Sequence, residues 1–298
     1  MRINLQPGEY IVAVSGGVDS IVLLNLLLNQ FNNKTLYKFT VAHYDHGIRQ
    51  DSEKDRILVE NIAKINHLKF FYQEGHLGIT ASEELARQSR YNFLFSLQKE
   101  IKADLIITAH HQDDLIETVI FNILRGTGRV GLSPFMNNSN IIHPLLKFKK
   151  TDIINYANLH HLVWRDDVTN FDLKYSRNFI RHKIIPMFNQ AQLEWLIIKI
   201  KRMTFLNQQI DQLFLSLFNQ NDKTKIKKSF INNCPDLVAK DFLTFWLRQN
   251  NLRNFDKKAI LRLYKNSQLL ETGKKIDVKN NYYVLIEKEY LALNYYKC

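Results

Sequence analysis

The stretch Tyr10-Ile11-Val12-Ala13-Val14-Ser15-Gly16-Gly17-Val18-Asp19-Ser20 decides the fold of this chain. Its first five residues form a continuous apolar run that reads as a buried strand, and the apolar run 21–28 reads as a buried helix. Between them, Gly16 and Gly17 let the backbone turn its N–H groups inward, and the helix start adds partial positive charge. Ser15 and Ser20 add hydroxyl donors, and Asp19 can cap the helix or hold a metal. Gly-Gly alone would be an ordinary turn between strand and helix; the whole hexapeptide in this setting favours an anion cradle. It is not a Walker A loop, which ends in Gly-Lys-Ser/Thr, because it has no lysine. A cradle without a lysine at the γ-phosphate suits diphosphate as a leaving group. The loop therefore points to ATP cleaved between its α- and β-phosphates, with adenylation of a substrate.

Working outward, strand-like and helix-like segments alternate. Strands are expected at 10–14, 36–42, 69–73 and 104–108, and helices at 19–31, 52–66, 82–99 and 113–124. This order predicts a doubly wound parallel α/β sheet with helices on both faces. Ligands of such sheets sit at the carboxyl ends of the strands, where Ser15, His43 and His110 fall. Beyond Pro186 the pattern becomes mainly helical, with long helices expected at 191–218 and 235–250. Short strands are expected around Asn280-Asn281. The boundary is placed near Asn189, giving a catalytic domain 1–189 and a smaller, mainly helical α+β domain 190–298.

The formal net charge is +12 and unevenly spread. Residues 191–298 hold 19 Lys+Arg against 10 Asp+Glu, a balance of +9, while residues 1–190 hold 22 against 19, a balance of +3. A near-neutral front and a basic back suit a catalytic domain joined to one that binds a polyanion. Cys234 and Cys298 are too few for a disulfide framework, and no Cys-x-x-Cys pair exists, so a reducing cytoplasm is expected. The N-terminus lacks a signal-peptide apolar region, and no apolar stretch reaches the roughly 18 residues that span a membrane.

Two further clusters lie at strand ends: His43-Tyr44-Asp45-His46-Gly47-Ile48-Arg49, and His110-His111-Gln112-Asp113-Asp114-Leu115-Ile116-Glu117. Asp114 and Glu117, three apart, share a helix face and suit a divalent metal or a substrate ammonium group. Gly126-Thr127-Gly128-Arg129-Val130-Gly131 matches the dinucleotide fingerprint by letter. It follows a helix rather than a strand, so NAD is rejected; Arg125 and Arg129 instead suit phosphate. Arg177 and Arg181, four apart, suit a phosphate or a splayed base. A two-metal hydrolase would use the His/Asp clusters but leave Ser15–Ser20 without a role.

These segments, in this order, resemble the tRNA(Ile)-lysidine synthetases, a branch of the N-type PP-loop ATP pyrophosphatases with an adenine nucleotide alpha hydrolase-like fold. The stretches are SGGVDS, HYDHGIR before Ser52, ELARQSRY, AHHQDDLIETVIFNILRGTGRVGL, HPLL at His143, and WRDDVTNFDLKYSRNFIRHKIIP. The family often has Arg at His143. Longer members carry a further C-terminal domain, and by the resemblance this sequence is expected to stop before it. The resemblance implies that ATP adenylates O2 of the wobble cytidine in a CAU anticodon of an isoleucine tRNA, and that free lysine then displaces AMP at C2.

By the same resemblance, Ser15, Gly16, Gly17, Val18, Asp19, Ser20 and His43 bind ATP. Asp19, with Asp45, places Mg²⁺ as MgATP. Asp114, Glu117, Arg90, His110 and His111 serve catalysis or bind L-lysine, and Arg177, Arg181, Arg125 and Arg129 contact the tRNA and its cytidine. No flavin, NAD, haem or iron–sulfur cluster and no membrane are expected, and a homodimer is left open. Sister PP-loop enzymes thiolate tRNA and commonly use cysteines or an iron–sulfur cluster; here both cysteines lie outside the motif blocks. A non-catalytic RNA-binding protein with a decayed loop is the remaining alternative, against which the hexapeptide is intact.

Overall fold

The first half of the chain runs β1 (Gly8–Ala13), α1 (Val18–Gln30), β2 (Tyr37–Asp45), α2 (Ser52–Ile65) and β3 (Lys69–Glu74). It continues through α3 (Glu83–Ile101), β4 (Leu105–Ile107), α4 (Gln112–Leu124), β5 (Ile141–Ile142) and α5 (Lys150–Leu159). The structure, a computed structural model, describes all residues except 48–51, 76–77, 79–82, 136–138, 166–175, 219–221, 253–254, 280 and 297–298.

The five strands form one parallel sheet in the order β3-β2-β1-β4-β5. Adjacent residues of β1 serve opposite layers. Val12 packs with Leu23, Leu27, Val59 and Ile153 from α1, α2 and α5. Ile11 packs with Leu94 and Leu97 from α3. Both faces are covered, which is why the central strands read as unbroken apolar runs rather than alternating ones. Val22, Leu23, Leu26 and Leu27 of α1 are all 0% exposed, and each such burial contributes about 1.5–3 kcal/mol. From β1 the chain winds to β2 and β3 on one side, then crosses to β4 and β5 on the other. The crevice of a doubly wound sheet therefore opens where β1 and β4 diverge. At the opposite edge, α2 and α3 each end on a residue in the left-handed region, His67 at φ 55° and Lys102 at φ 54°.

The chain then forms α6 (Ser176–Phe179), a π-helical turn Ile180–Ile184, and α7 (Gln190–Ser216). Compactness divides it into Met1–Thr204 and Phe205–Cys298, a division inside α7. The second unit adds β6 (Lys225–Lys227), α8 (Lys228–Asn233), α9 (Asp236–Gln249), α10 (Lys257–Leu269), β7 (Lys275–Lys279), β8 (Tyr282–Ile286) and β9 (Tyr290–Tyr295). Its strands form an antiparallel sheet in the order β6-β9-β8-β7. Ile276 and Val278 of β7, with Val284 and Ile286 of β8, turn inward onto Phe242, Trp246 and Leu263. Among the described residues no helix is long and apolar enough to cross a membrane.

The elements expected from sequence are present, with ends shifted by at most three residues. β5, α5, β6, α8 and α10 appear where no element was assigned.

Candidate active site

Ser15–Ser20 closes β1 into α1. Gly16 takes φ +94°, which favours glycine, and a Cβ there would lie in tight contact, 3.3 Å from the Asp55 Cβ. Gly17 is the N-cap residue of α1 and carries no side-chain cap. Ser20, buried, donates its hydroxyl to the Gly17 carbonyl at 2.9 Å and accepts from the Ser15 amide at 3.2 Å. The Ser15 hydroxyl lies 3.3 Å from that of Ser20. The Val18 and Asp19 amides at the start of α1 have no intrahelical acceptor and line this turn, while the Ser20 and Ile21 amides both donate to the Gly17 carbonyl at 3.1 Å. Arg165 braces the loop from outside. Its amide donates to the Gly16 carbonyl at 3.1 Å, and its Nε meets Asp55 at 2.6 Å.

At the end of β2, His43 is buried and its Nδ1 lies 2.8 Å from the Val14 carbonyl. A carbonyl only accepts, so Nδ1 carries the proton and Nε2 presents a lone pair. Burial pushes the His43 pKa below its ordinary value, which keeps the ring neutral. Asp45, also buried, accepts from the Gly47 amide at 2.8 Å.

At the end of β4, His111 caps α4, and the Asp114 carboxylate closes the cap by accepting the His111 amide at 3.0 Å. The ring stands 3.7 Å from Asp19, 3.5 Å from Asp113 and 3.4 Å from Asp114. Burial disfavours its charge, yet these carboxylates outweigh burial and the pKa is raised. His111 thus joins the glycine loop to α4.

His110 faces another way. Its Nδ1 lies 2.7 Å from the Thr108 hydroxyl, which also lies 2.6 Å from Nδ1 of His143. A hydroxyl has one proton, so Thr108 donates to one ring and accepts from the other, and the two imidazoles hold opposite tautomers. Burial, then the neighbouring His143, Arg90 and Arg87, hold His110 well below its usual range. Burial and Arg87 lower His143 to about 4.

Asp114 and Glu117 do share a face of α4, and the structure brings them to Arg177 and Arg181. Arg181 meets Glu117 at 2.8 Å and Asp114 at 3.3 Å, and Arg177 lies 3.5 Å from Glu117. Glu117 is 2% exposed. Burial raises its pKa, and Arg181 opposes that rise. Residues assigned to lysine and to cytidine therefore form one ion-pair network. Arg177 and Arg125 lie over the same Phe121 ring, 5.6 and 5.1 Å from its centre. Arg129 begins a short 3₁₀ turn beyond α4. Arg90 packs on Tyr91, and burial lowers its pKa.

Sequence reasoning missed Lys150, Asp55, Arg165 and Arg87. Lys150 meets both carboxylate oxygens of Asp19, at 2.6 and 2.7 Å. Arg165 and Arg87 lie inside quoted motif blocks, which was the available signal; Lys150 and Asp55 lie outside them. Ile48-Arg49 of the second cluster and residues 166–175 of the last block fall outside the described residues.

Among the described residues no group of three or more His, Cys, Asp or Glu is placed to hold a metal. A Mg²⁺ carried on nucleotide phosphates needs only one or two carboxylates, and Asp19 at the loop supplies a hard oxygen donor of that kind.

The PP-loop domain family matches residues 3–188. A tRNA(Ile)-lysidine synthase of Thermosipho africanus is 36% identical over 95% of this chain and 67% of its own length. That of Thermotoga maritima is 40% identical over 62% of this chain and 47% of its own. That of Francisella tularensis subsp. holarctica is 28% identical over 98% and 75%. The chain thus spans from about half to three quarters of the length of these relatives. Among solved structures, a U34-tRNA thiolase of Methanococcus maripaludis, described with its iron–sulfur cluster, superposes with a TM-score of 0.57. It is 15% identical over 67% of this chain and 73% of its own, a likeness of fold. The loop geometry, the doubly wound sheet and the matches over nearly the whole chain agree: this protein belongs to the ATP-binding PP-loop family and, within it, to the tRNA(Ile)-lysidine synthases.

Proposed function

We propose that the protein ligates free L-lysine to C2 of the wobble cytidine of a CAU-anticodon isoleucine tRNA, consuming ATP. The observation that carries the reading is the convergence at one edge of the sheet. The glycine loop, His43, His111 and the acidic face of α4 meet where β1 and β4 diverge. In the first step, cytidine O2 attacks the α-phosphorus and diphosphate leaves. In the second, the ε-amine of lysine attacks C2, AMP leaves with the O2 oxygen, and the amine releases its protons.

Ser15–Ser20 holds the diphosphate through amides and the Ser15 hydroxyl, with the Ser20 hydroxyl committed to the Gly17 carbonyl. His43, neutral, offers Nε2 as an acceptor beside it. Asp19, with Asp45, would hold Mg²⁺, which would supply positive charge to offset that of the phosphates. His111, flanked by three carboxylates, suits proton exchange near the α-phosphate. Asp114 and Glu117 hold the lysine cation, with Arg177 and Arg181 as their partners at rest and as grips for the cytidine and flanking phosphates. Arg90 meets a phosphate or the lysine carboxylate, and Arg125 and Arg129 meet the tRNA backbone. The basic segment 190–298 binds the body of the tRNA in the cytoplasm.

The test incubates the protein with ATP, labelled lysine and CAU-anticodon tRNA, followed by digestion and detection of lysidine. Label must enter only with ATP; its absence with folded enzyme and cognate tRNA sinks the proposal. Within the same assay, Asp114→Ala and Glu117→Ala raise the KM for lysine at least tenfold while that for ATP moves less. An unchanged lysine KM removes the lysine assignment alone. For the thiolase alternative, Cys234 is a free thiol whose pKa burial raises, which makes it a poor nucleophile.

A further inference from the structure

Side chains of the antiparallel sheet β6-β9-β8-β7 alternate between its two faces. Ile226, Ile276, Val284 and Leu293 turn inward onto the core around Phe242 and Trp246. Their neighbours therefore face outward: Lys225 and Lys227 on β6, Lys275 and Asp277 on β7, and Tyr283 on β8. By the same alternation Tyr296, just past β9, joins that face. Its ring lies 4.3 Å from that of Tyr283, tilted by 36°. The Lys275 ammonium stands over both rings, 4.7 Å from the centre of Tyr283 and 5.4 Å from that of Tyr296. Tyr296 is held at two points. Its amide donates to the Asn281 carbonyl at 2.7 Å, and its hydroxyl donates to Asp277 Oδ1 at 2.9 Å. Neither ring joins the core, which takes Tyr282 instead, and Tyr296 is 38% exposed. Large rings left open to water forgo much of the gain from burial, so core packing does not account for their placement. Lys225 is committed to Glu287 at 2.8 Å, whereas Lys227 and Lys275 are exposed.

We infer that this face is a stacking platform for single-stranded RNA, on which Tyr283 and Tyr296 take an unpaired nucleotide of the bound tRNA. A four-stranded antiparallel sheet with helices on one face and aromatic rings on the other is an arrangement that stacks splayed bases. Every base has a π-face, so the rings need no particular sequence. Asn281 and Asp277 hold Tyr296 in place beforehand, which cuts the ordering cost of binding. Lys275 meets the phosphate beside the stacked base, and Lys227, on the opposite edge strand, meets one further along the chain. Charge selects RNA over a protein surface, because residues 191–298 carry 19 Lys+Arg against 10 Asp+Glu. The inference deepens the reading of residues 190–298 as the tRNA-binding segment and rests on it.

The experiment measures binding of the full chain to a short labelled single-stranded RNA and to a blunt RNA duplex of the same length, by fluorescence anisotropy, with folding checked by circular dichroism. Tyr283→Ala and Tyr296→Ala each weaken single-strand binding roughly five- to hundredfold, the worth of one base stacked on a ring, and leave duplex binding within about twofold. Tyr296→Trp, which keeps a ring, retains the single-strand affinity. In lysidine formation Tyr296→Ala raises the KM for tRNA, while kcat and the KM for ATP move far less. Equal loss of single-strand and duplex binding overturns the inference, because it marks damage to the sheet as a whole. Unchanged single-strand binding in both alanine variants also overturns it. So does a wild type that self-associates in sedimentation, with Tyr296→Ala dissolving the dimer and leaving RNA binding intact, since the face is then a contact between copies. A wild type that forms lysidine yet shows no preference for single strands removes the platform and leaves the proposed reaction standing. Ring-dependent single-strand binding by a protein that forms no lysidine keeps the platform and removes the reaction.

Discussion

Thr108 holds two imidazoles with one hydroxyl, and both rings are neutral at pH 7. His143, with a pKa near 4 in the fold, stays unprotonated while the unfolded chain takes up its proton near 6.5. Between those values the unfolded state binds more protons, so stability is complete above about 6.5, falls as pH drops, and levels off below 4. The shift corresponds to on the order of 3 kcal/mol. Urea midpoints measured from pH 7 to pH 4.5 should fall, and His143→Asn should remove one ring's share of the fall; an unchanged slope would place the ring in water. At this scale the sequence was most legible where chemistry is local. The hexapeptide announces its own conformation, because Gly16 at φ +94° is a demand that a one-letter code records. Lys150 was illegible, because its partner lies 131 residues away and nothing in its own neighbourhood marks it.

At the level of elements, α4 is where charge and packing meet. One face carries Leu115, Val119 and Ile120 into apolar clusters, and an adjacent face carries Asp114 and Glu117 to the arginines of α6 and the π-helical turn. Removing Arg181 leaves the buried Glu117 with Arg177 at 3.5 Å. Arg181→Met should therefore destabilise by about 1–3 kcal/mol, less than a fully stranded buried charge costs. The double variant Glu117→Gln/Arg181→Met should recover most of that loss in urea unfolding. If the double is no more stable than Arg181→Met, the network is not what holds the turn. The i, i+3 spacing made the acidic pair visible in sequence, and the i, i+4 spacing made the arginine pair visible. That they pair with each other was not, since spacing reports a shared face and not what stands opposite it. β5, two residues long, and α5, half polar, also gave no periodic signal.

Across the whole molecule, two cores divide the work. Met1–Thr204 carries the loop and the histidines, and Phe205–Cys298 carries a core around Phe242 and Trp246. The charge excess of the back third was legible as composition, and its antiparallel sheet was legible only as short strands near the tail. Lys227 and Lys275 are exposed on that sheet. Lys227→Glu/Lys275→Glu should weaken tRNA binding about tenfold at 0.1 M salt and flatten the salt dependence by one to two contacts' worth. ATP affinity should be unchanged; equal tRNA binding would move the RNA contact off this face. The parallel sheet carries a further consequence, because its strands all point one way. The turns that hold His67 and Lys102 in the left-handed region lie at the edge away from the nucleotide loop. His67 and Lys102 thus lie on the bank of the sheet opposite the nucleotide loop, and the protein can be hardened at these two turns without disturbing the loop. His67→Gly and Lys102→Gly should each add about 1 kcal/mol to stability, raise the melting temperature additively, and leave ATP affinity where it was.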